Sequence, residues 1–181
     1  MANNKIKLGY LKQHLKQLSK DELINDIVEL HGKIDLVKDY YQTKLFPEDE
    51  SKVVEKYKVV VKNEFFPTRG FGKLRLSEAK KAISDYKKIC RNQASLVDLM
   101  LFYVEMGVKF INSYGDIKES FYSSGETMYE EAVKLIVENK MQEMFEERCR
   151  RIVNGSSDAG YGFHDQLRYI YRSYFSPQTH A

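Results

Sequence analysis

Apolar residues recur along this chain at steps of three and four. Leu8, Leu11, Leu15 and Leu18 form one such stripe, with Lys12 and Lys16 off it, which predicts an amphipathic helix. Ser19-Lys20-Asp21-Glu22 then reads as a capping box. The Ser19 hydroxyl accepts from the amide three residues on, and Glu22 reaches back to the Ser19 amide. Leu23, Ile24, Ile27, Val28 and Leu30 supply the apolar face of this second helix, and Gly32 stands where a left-handed residue ends one. The pattern predicts a third helix over 34–46, stopped by Pro47 because its ring cannot continue the hydrogen-bond ladder. A fourth begins near Glu48-Asp49-Glu50, acids that suit a positive helix end, and continues through Val53, Val54, Tyr57, Val61 and Phe65. The β-branched run at 57–62 stays helical because the three-four spacing extends on both sides of it.

The periodicity breaks at 66–73, where one proline and two glycines fall within eight residues. A fifth helix follows through Ile89, with Ala79, Ile83, Tyr86 and Cys90 on one face. The sixth, over 95–114, is apolar nearly all round. Its polar residues Asp98, Glu105, Lys109 and Asn112 make one narrow stripe, so it belongs at the centre of the fold, and Glu105 and Lys109 are spaced as an i,i+4 pair. Gly115-Asp116 marks a turn, and 117–125 reads as a short, serine-rich aromatic stretch of its own. Further helices carry Met128 to Ile136, Met141 to Ile152 and, after a loop at 154–160, Phe163 to Phe175. The fold class is therefore all-α. We expect a single domain of eight or nine helices packed as stacked antiparallel hairpins, either α-solenoid-like and faintly repeat-like or an irregular bundle. Its sub-units would be 1–66 and 74–176, joined by loop 66–73.

Composition narrows this picture. With 43% hydrophobic and 30% charged residues among 181, the chain can bury a core without staples and is no disordered segment. Cys90 and Cys149 form neither a disulfide framework nor a zinc motif, so no cofactor or metal is implied. The most apolar run, 96–111, contains Asp98, Glu105 and Lys109. A membrane span needs ~20 largely uncharged residues, so no membrane partner is expected and the localisation reads as cytoplasmic.

Charge is unevenly spread. Residues 48–93 hold twelve basic and seven acidic groups, residues 94–181 nine basic and thirteen acidic. Between Lys62 and Arg91 nine basic residues face only three acids. Arg69, Lys73, Arg75, Lys80, Lys87 and Arg91 lie there with Phe71 in the glycine-bearing loop. Glycines that let amides near phosphate, cations that neutralise it and an aromatic that stacks a base suit nucleic acid or a phosphate backbone. The competing reading pins the phenylalanines to the core and leaves the lysines solvated.

The C-terminal half is rich in tyrosine and phenylalanine. Tyr114, Phe121 and Tyr122 are candidates for a protein or peptide groove, and His164 is a further candidate binding residue. The histidines are scattered and no nucleophile or metal motif occurs. The glutamates at 126–131 and 143–147 lack the Glu-x-x-His of di-metal bundles. No catalytic residue is assigned, and an enzyme ranks third, behind a non-catalytic protein-interaction module and a nucleic-acid binder.

Four blocks carry a resemblance: LKQLSKDELINDIVEL, KNEFFPTRGFGKLRLSEAKKAISDYKKI, LMLFYVEMGVKFINSYGDIKESFYSS and MYEEAVKLI. They resemble a family of bacterial all-helical proteins classed as a domain of unknown function, with FFPTRGFGK and YGDIKESFY the most specific parts. The resemblance implies a bacterial, cytoplasmic, helical protein and carries no catalytic or binding role.

Overall fold

The computed structural model describes residues 6–115 and 117–175. Among these, the helices are α1 (Leu8–Leu15), α2 (Lys20–Lys33), α3 (Asp35–Leu45), α4 (Glu50–Phe65), α5 (Leu76–Lys87), α6 (Gln93–Tyr114), α7 (Glu119–Glu138), α8 (Gln142–Gly155) and α9 (Phe163–Phe175). A single 3-10 turn, Pro47–Asp49, stands before α4. No strand occurs among the described residues. The chain divides into two compact units, residues 1–41 and 42–181, and the division falls inside α3 rather than at loop 66–73.

In the first unit the capping box forms as the sequence predicts. Glu22 N donates to Ser19 Oγ at 3.2 Å and Ser19 N to Glu22 Oε2 at 2.7 Å. Gly32 does not take the left-handed role expected of it. The helix runs past it to Lys33 and ends because Ile34 turns extended (φ −125°, ψ 110°), which leads directly into α3. Neither α1 nor α2 buries a residue.

The second unit is built on α6. Leu96, Val97, Leu99, Met100, Leu101, Tyr103, Val104, Val108, Phe110 and Ile111 are all buried, as an almost wholly apolar helix requires. Helices α4, α5, α7 and α8 pack directly against it, and α9 packs on α7 and α8. A solenoid touches only sequential neighbours, so this unit is an irregular bundle around a central helix. Side-chain pairs fix the directions. Glu50 meets Tyr86 and Glu64 meets Arg75, so α4 and α5 run antiparallel. Lys58 meets Asp98 and Phe65 meets Tyr103 and Phe110, so α4 and α6 run parallel. Tyr103 meets Ser124 and Phe110 meets Phe121, so α6 and α7 run antiparallel.

Two expectations on the central elements change. Glu105 does not pair with Lys109. It takes Arg148 of α8 instead, through Nε at 2.7 Å and a second guanidinium nitrogen at 2.8 Å, while Lys109 lies over the Phe66 ring at 5.3 Å. A half-buried guanidinium with bidentate geometry wins over a local i,i+4 contact at a solvated edge. The stretch 117–125 is not separate either. It is the first part of α7, and Gly125 sits inside that helix because a Cβ there would come within 3.0 Å of the Phe163 ring.

The link between α5 and α6 is held by one buried carboxylate. Glu50 Oε1 accepts from the Tyr86 hydroxyl, Arg91 N and Asn92 N, each at 3.0 Å. Burial and the Glu50 charge push the Tyr86 phenol upward from its ordinary value. Glu50→Ala strands all three donors in a site only 6% exposed, and should cost about 2–4 kcal/mol in urea unfolding. Glu50→Gln, which keeps an acceptor, should lose less. Equal stability of the alanine variant and the parent would refute this role.

Candidate functional site

The basic segment predicted from sequence splits into two parts in the structure. The first is loop 66–75, which is stapled to the end of α4. Glu64, itself buried, accepts from Arg75 N (3.2 Å), Nε (3.1 Å) and a terminal guanidinium nitrogen (2.7 Å), and Leu74 N donates to the Glu64 carbonyl at 2.9 Å. Gly72 lies so close that a Cβ would stand 2.2 Å from the Phe65 carbonyl oxygen, which leaves no room for any other residue. Arg75 is therefore a structural cation rather than a free one. Arg69, Lys73 and Arg91 are exposed, and the Arg91 amide donates to Glu50.

The phenylalanines of the loop take different fates. Phe65 is in the core and Phe66 is half-buried on Phe110. Phe71 is 70% exposed, with its ring centroid 4.7 Å from that of Tyr114, which is itself exposed. This leaves an exposed aromatic pair flanked in sequence by Arg69 and Lys73.

The second part is a cleft over α6 between α5 and α7. Lys80, Ile83, Ser84 and Lys87 come from α5, Met100 from α6, and Ser120, Ser123, Ser124, Thr127, Met128 and Glu131 from α7. It encloses about 670 Å³. Ile83, Met100 and Met128 are buried and form its floor, while the lysines and most hydroxyls stand at its rims. Periodicity is the reason. Positions 80, 84 and 87 share one face of α5, and 120, 123, 124, 127 and 131 share one face of α7. Lys80 and Lys87 were legible as part of the basic segment. The serine and threonine wall was missed because 117–125 read as a separate stretch, although the three-four spacing of Ser120, Ser123, Ser124 and Thr127 signals a polar helical face.

The aromatic candidates mostly belong to the core. Phe121 and Tyr122 are 6% and 1% exposed, so neither ring can meet a ligand, and only Tyr114 among them reaches solvent. His164 is held at the end of α8, with Nδ1 3.0 Å from the Val153 carbonyl oxygen and 3.1 Å from Ser156 Oγ. That position ties α9 to α8. Burial pushes the Cys149 thiol up to about 12 and raises Cys90 as well, which keeps both protonated and unreactive at neutral pH. The acidic helix faces do not converge. Glu130 pairs with Lys134, Glu146 takes the Tyr171 hydroxyl, and Glu147 pairs with Arg150. Among the described residues no three His, Cys, Asp or Glu side chains are placed to hold a metal ion, and no helix is long and apolar enough to cross a membrane.

This all-helical architecture has a place among known sequences. A family model described as a family of unknown function (DUF6155) matches residues 7–174, and the chain belongs to that family. No curated protein and no solved structure matches it.

Hydrogen bonds from the Arg75 side chain hold the Glu64 carboxyl below its ordinary 4.5, against the upward pull of burial. A depressed carboxyl stabilises the fold above its unfolded value, and that contribution is lost as pH falls through the folded one. An NMR titration should therefore place the Glu64 midpoint below 4.5, and Arg75→Gln should raise it. A Glu64 midpoint at 4.5 or higher would show that the loop staple does not persist in solution.

Proposed function

We propose that this protein is a non-catalytic protein-interaction module whose docking element is the N-terminal helical unit, and that its occupant is the same unit of a second copy. The observation that carries this reading is a pair of well-specified helices without a core. The α2 residues Ile24, Ile27, Val28 and Leu30 are 47%, 42%, 63% and 47% exposed, and Leu8, Tyr10 and Leu11 of α1 are exposed as well. Among the apolar residues between Leu8 and Leu30, only Leu15, Leu18 and Leu23 are partly covered. Segments near 40 residues rarely bury enough surface to stand alone, and oligomerisation is a usual remedy.

Charge supports a second copy as the occupant. Among the residues on and flanking α1, Lys7, Lys12 and Lys16 stand without an acid, while α2 carries Asp21, Glu22, Asp26 and Glu29 against Lys20 and Lys33. A two-fold pairing that lays α1 of one copy on α2 of the other joins their apolar stripes and sets opposite charges at the rims. Sedimentation equilibrium of the full chain should show a dimer that weakens with salt. The triple variant Ile24→Ser, Ile27→Ser, Val28→Ser should be monomeric with little loss of helix content. A parent that stays monomeric at about 100 µM, a concentration at which an interface with Kd near 1 µM is saturated, would overturn self-pairing. A dimer that survives the triple variant would move the interface elsewhere.

A second reading, nucleic-acid binding through 62–91, is favoured by the exposed Phe71–Tyr114 pair beside Arg69 and Lys73. It requires single-stranded DNA binding that weakens steeply with salt and is lost on Arg69→Glu with Lys73→Glu. Arg75 is unsuited to this test, since its removal also releases Glu64. Binding that is absent, or indifferent to salt, rejects it.

A further inference from the structure

We infer that the α5–α7 cleft is a binding site for a small phosphate monoester with an apolar body. Its capacity of about 670 Å³ lies within the range of pockets that hold metabolite-sized ligands. Its two rims are chemically different from its floor. Lys80 and Lys87 stand one above the other on the α5 wall, and neither has a carboxylate partner among the described residues. Other cations nearby are already engaged: Lys88 with Asp85, Arg75 with Glu64, and Lys58 with Asp98. Lys80 and Lys87 thus bring two unneutralised positive charges to the cleft.

The hydroxyls fit the same ligand. Ser124 is spent on Tyr103, 2.8 Å away, and Ser123 and Thr127 donate to carbonyls of their own helix. Ser84 and Ser120 make no hydrogen bond among the described residues and remain able to donate across the opening.

Helix directions set the polarity of the site. Because α5 runs antiparallel to α4, α4 parallel to α6, and α6 antiparallel to α7, α5 and α7 run in the same direction. Along the cleft, Lys80 therefore lies nearer than Lys87 to the end where α7 begins with Ser120, and Lys87 lies on the side of Glu131. A dianionic group is repelled by Glu131 and drawn to Lys80, and the walls of the cleft add Ser84 and Ser120 as hydroxyl donors that are not already engaged. A phosphate monoester brings three terminal acceptor oxygens and close to two negative charges to one ammonium and two hydroxyls, against two oxygens and one charge for a carboxylate. The side chains of Ile83, Met100 and Met128 offer an apolar floor for the rest of the molecule, and methionines adapt to varied shapes.

Isothermal titration of the full chain with hexyl phosphate tests this directly, alongside inorganic phosphate, hexanoate and 1-hexanol. We expect hexyl phosphate to bind at least about tenfold more tightly than each of the other three, a difference of about 1.4 kcal/mol. Lys80→Gln and Ser120→Ala should each weaken it several-fold. Both positions are exposed, so thermal unfolding should be unchanged. Lys81→Gln, on the same helix but outside the cleft, should leave the affinity alone. Hexyl phosphate that shows no saturable binding, or that binds the Lys80 variant as well as the parent, overturns the proposal. Equal affinity for inorganic phosphate rejects the apolar floor, and equal affinity for hexanoate rejects selection for phosphate. Either result also overturns the site as assigned here.

Discussion

A helix that is apolar on nearly every side can be buried only if its few charges are met where they lie. The acids of α6 are Asp98 and Glu105, and Arg148 of α8 meets both, while the one cation of α6, Lys109, lies over the Phe66 ring. The Arg148 guanidinium lies on Glu105 with two nitrogens, on the Asp98 carboxylate with a third contact, and on the Asp98 carbonyl at 3.3 Å. Lys58 of α4 completes the group at 2.6 Å from Asp98. Burial works against the Asp98 carboxyl, yet these two cations hold it below its ordinary value, and the two acids raise Arg148 in turn. One small network therefore neutralises the polar stripe of the central helix and fixes α4 and α8 against it. Without it, α6 would carry two carboxylates into partly desolvated surroundings, a cost that apolar packing must offset.

The same logic recurs at smaller scale. Glu50 gathers the free amides that begin α6, Glu64 gathers the end of loop 66–75, and His164 takes the Val153 carbonyl near the end of α8. Among the described residues no buried side-chain nitrogen or oxygen lacks a partner. A bundle with its polar groups so fully engaged gives a rigid frame, and the cleft between α5 and α7 is a part of that frame where lysines and hydroxyls stay unspent. The N-terminal unit is different in kind. Its second helix is capped at Ser19 and both helices are amphipathic, but most of their apolar residues are exposed.

Much of this was legible in the chain because local rules agreed with tertiary packing. The capping box at Ser19, the stop at Pro47, the break at 66–73 and the centrality of α6 each follow from residues within one or two turns. Misreadings arose where a distant residue decided the outcome. Gly125 looks like a helix break until Phe163 is seen against it. Glu105 and Lys109 look like a pair until Arg148 arrives from 43 residues away. Phe121 and Tyr122 look like groove aromatics, whereas their side chains fill space between helices that sequence order does not place together. The cleft was half visible for the same reason. Its basic wall is a local run, and its hydroxyl wall becomes meaningful only when α7 is placed opposite.

The claim on which the rest depends is that Arg148 and the α6 acids act as a unit. A double-mutant cycle between Arg148→Met and Glu105→Gln, read by urea unfolding, measures this directly. The expected coupling is about 1–3 kcal/mol, with the double variant less damaged than the sum of the single ones. Strictly additive losses would contradict it, and would mean that α6 is held by its apolar faces alone.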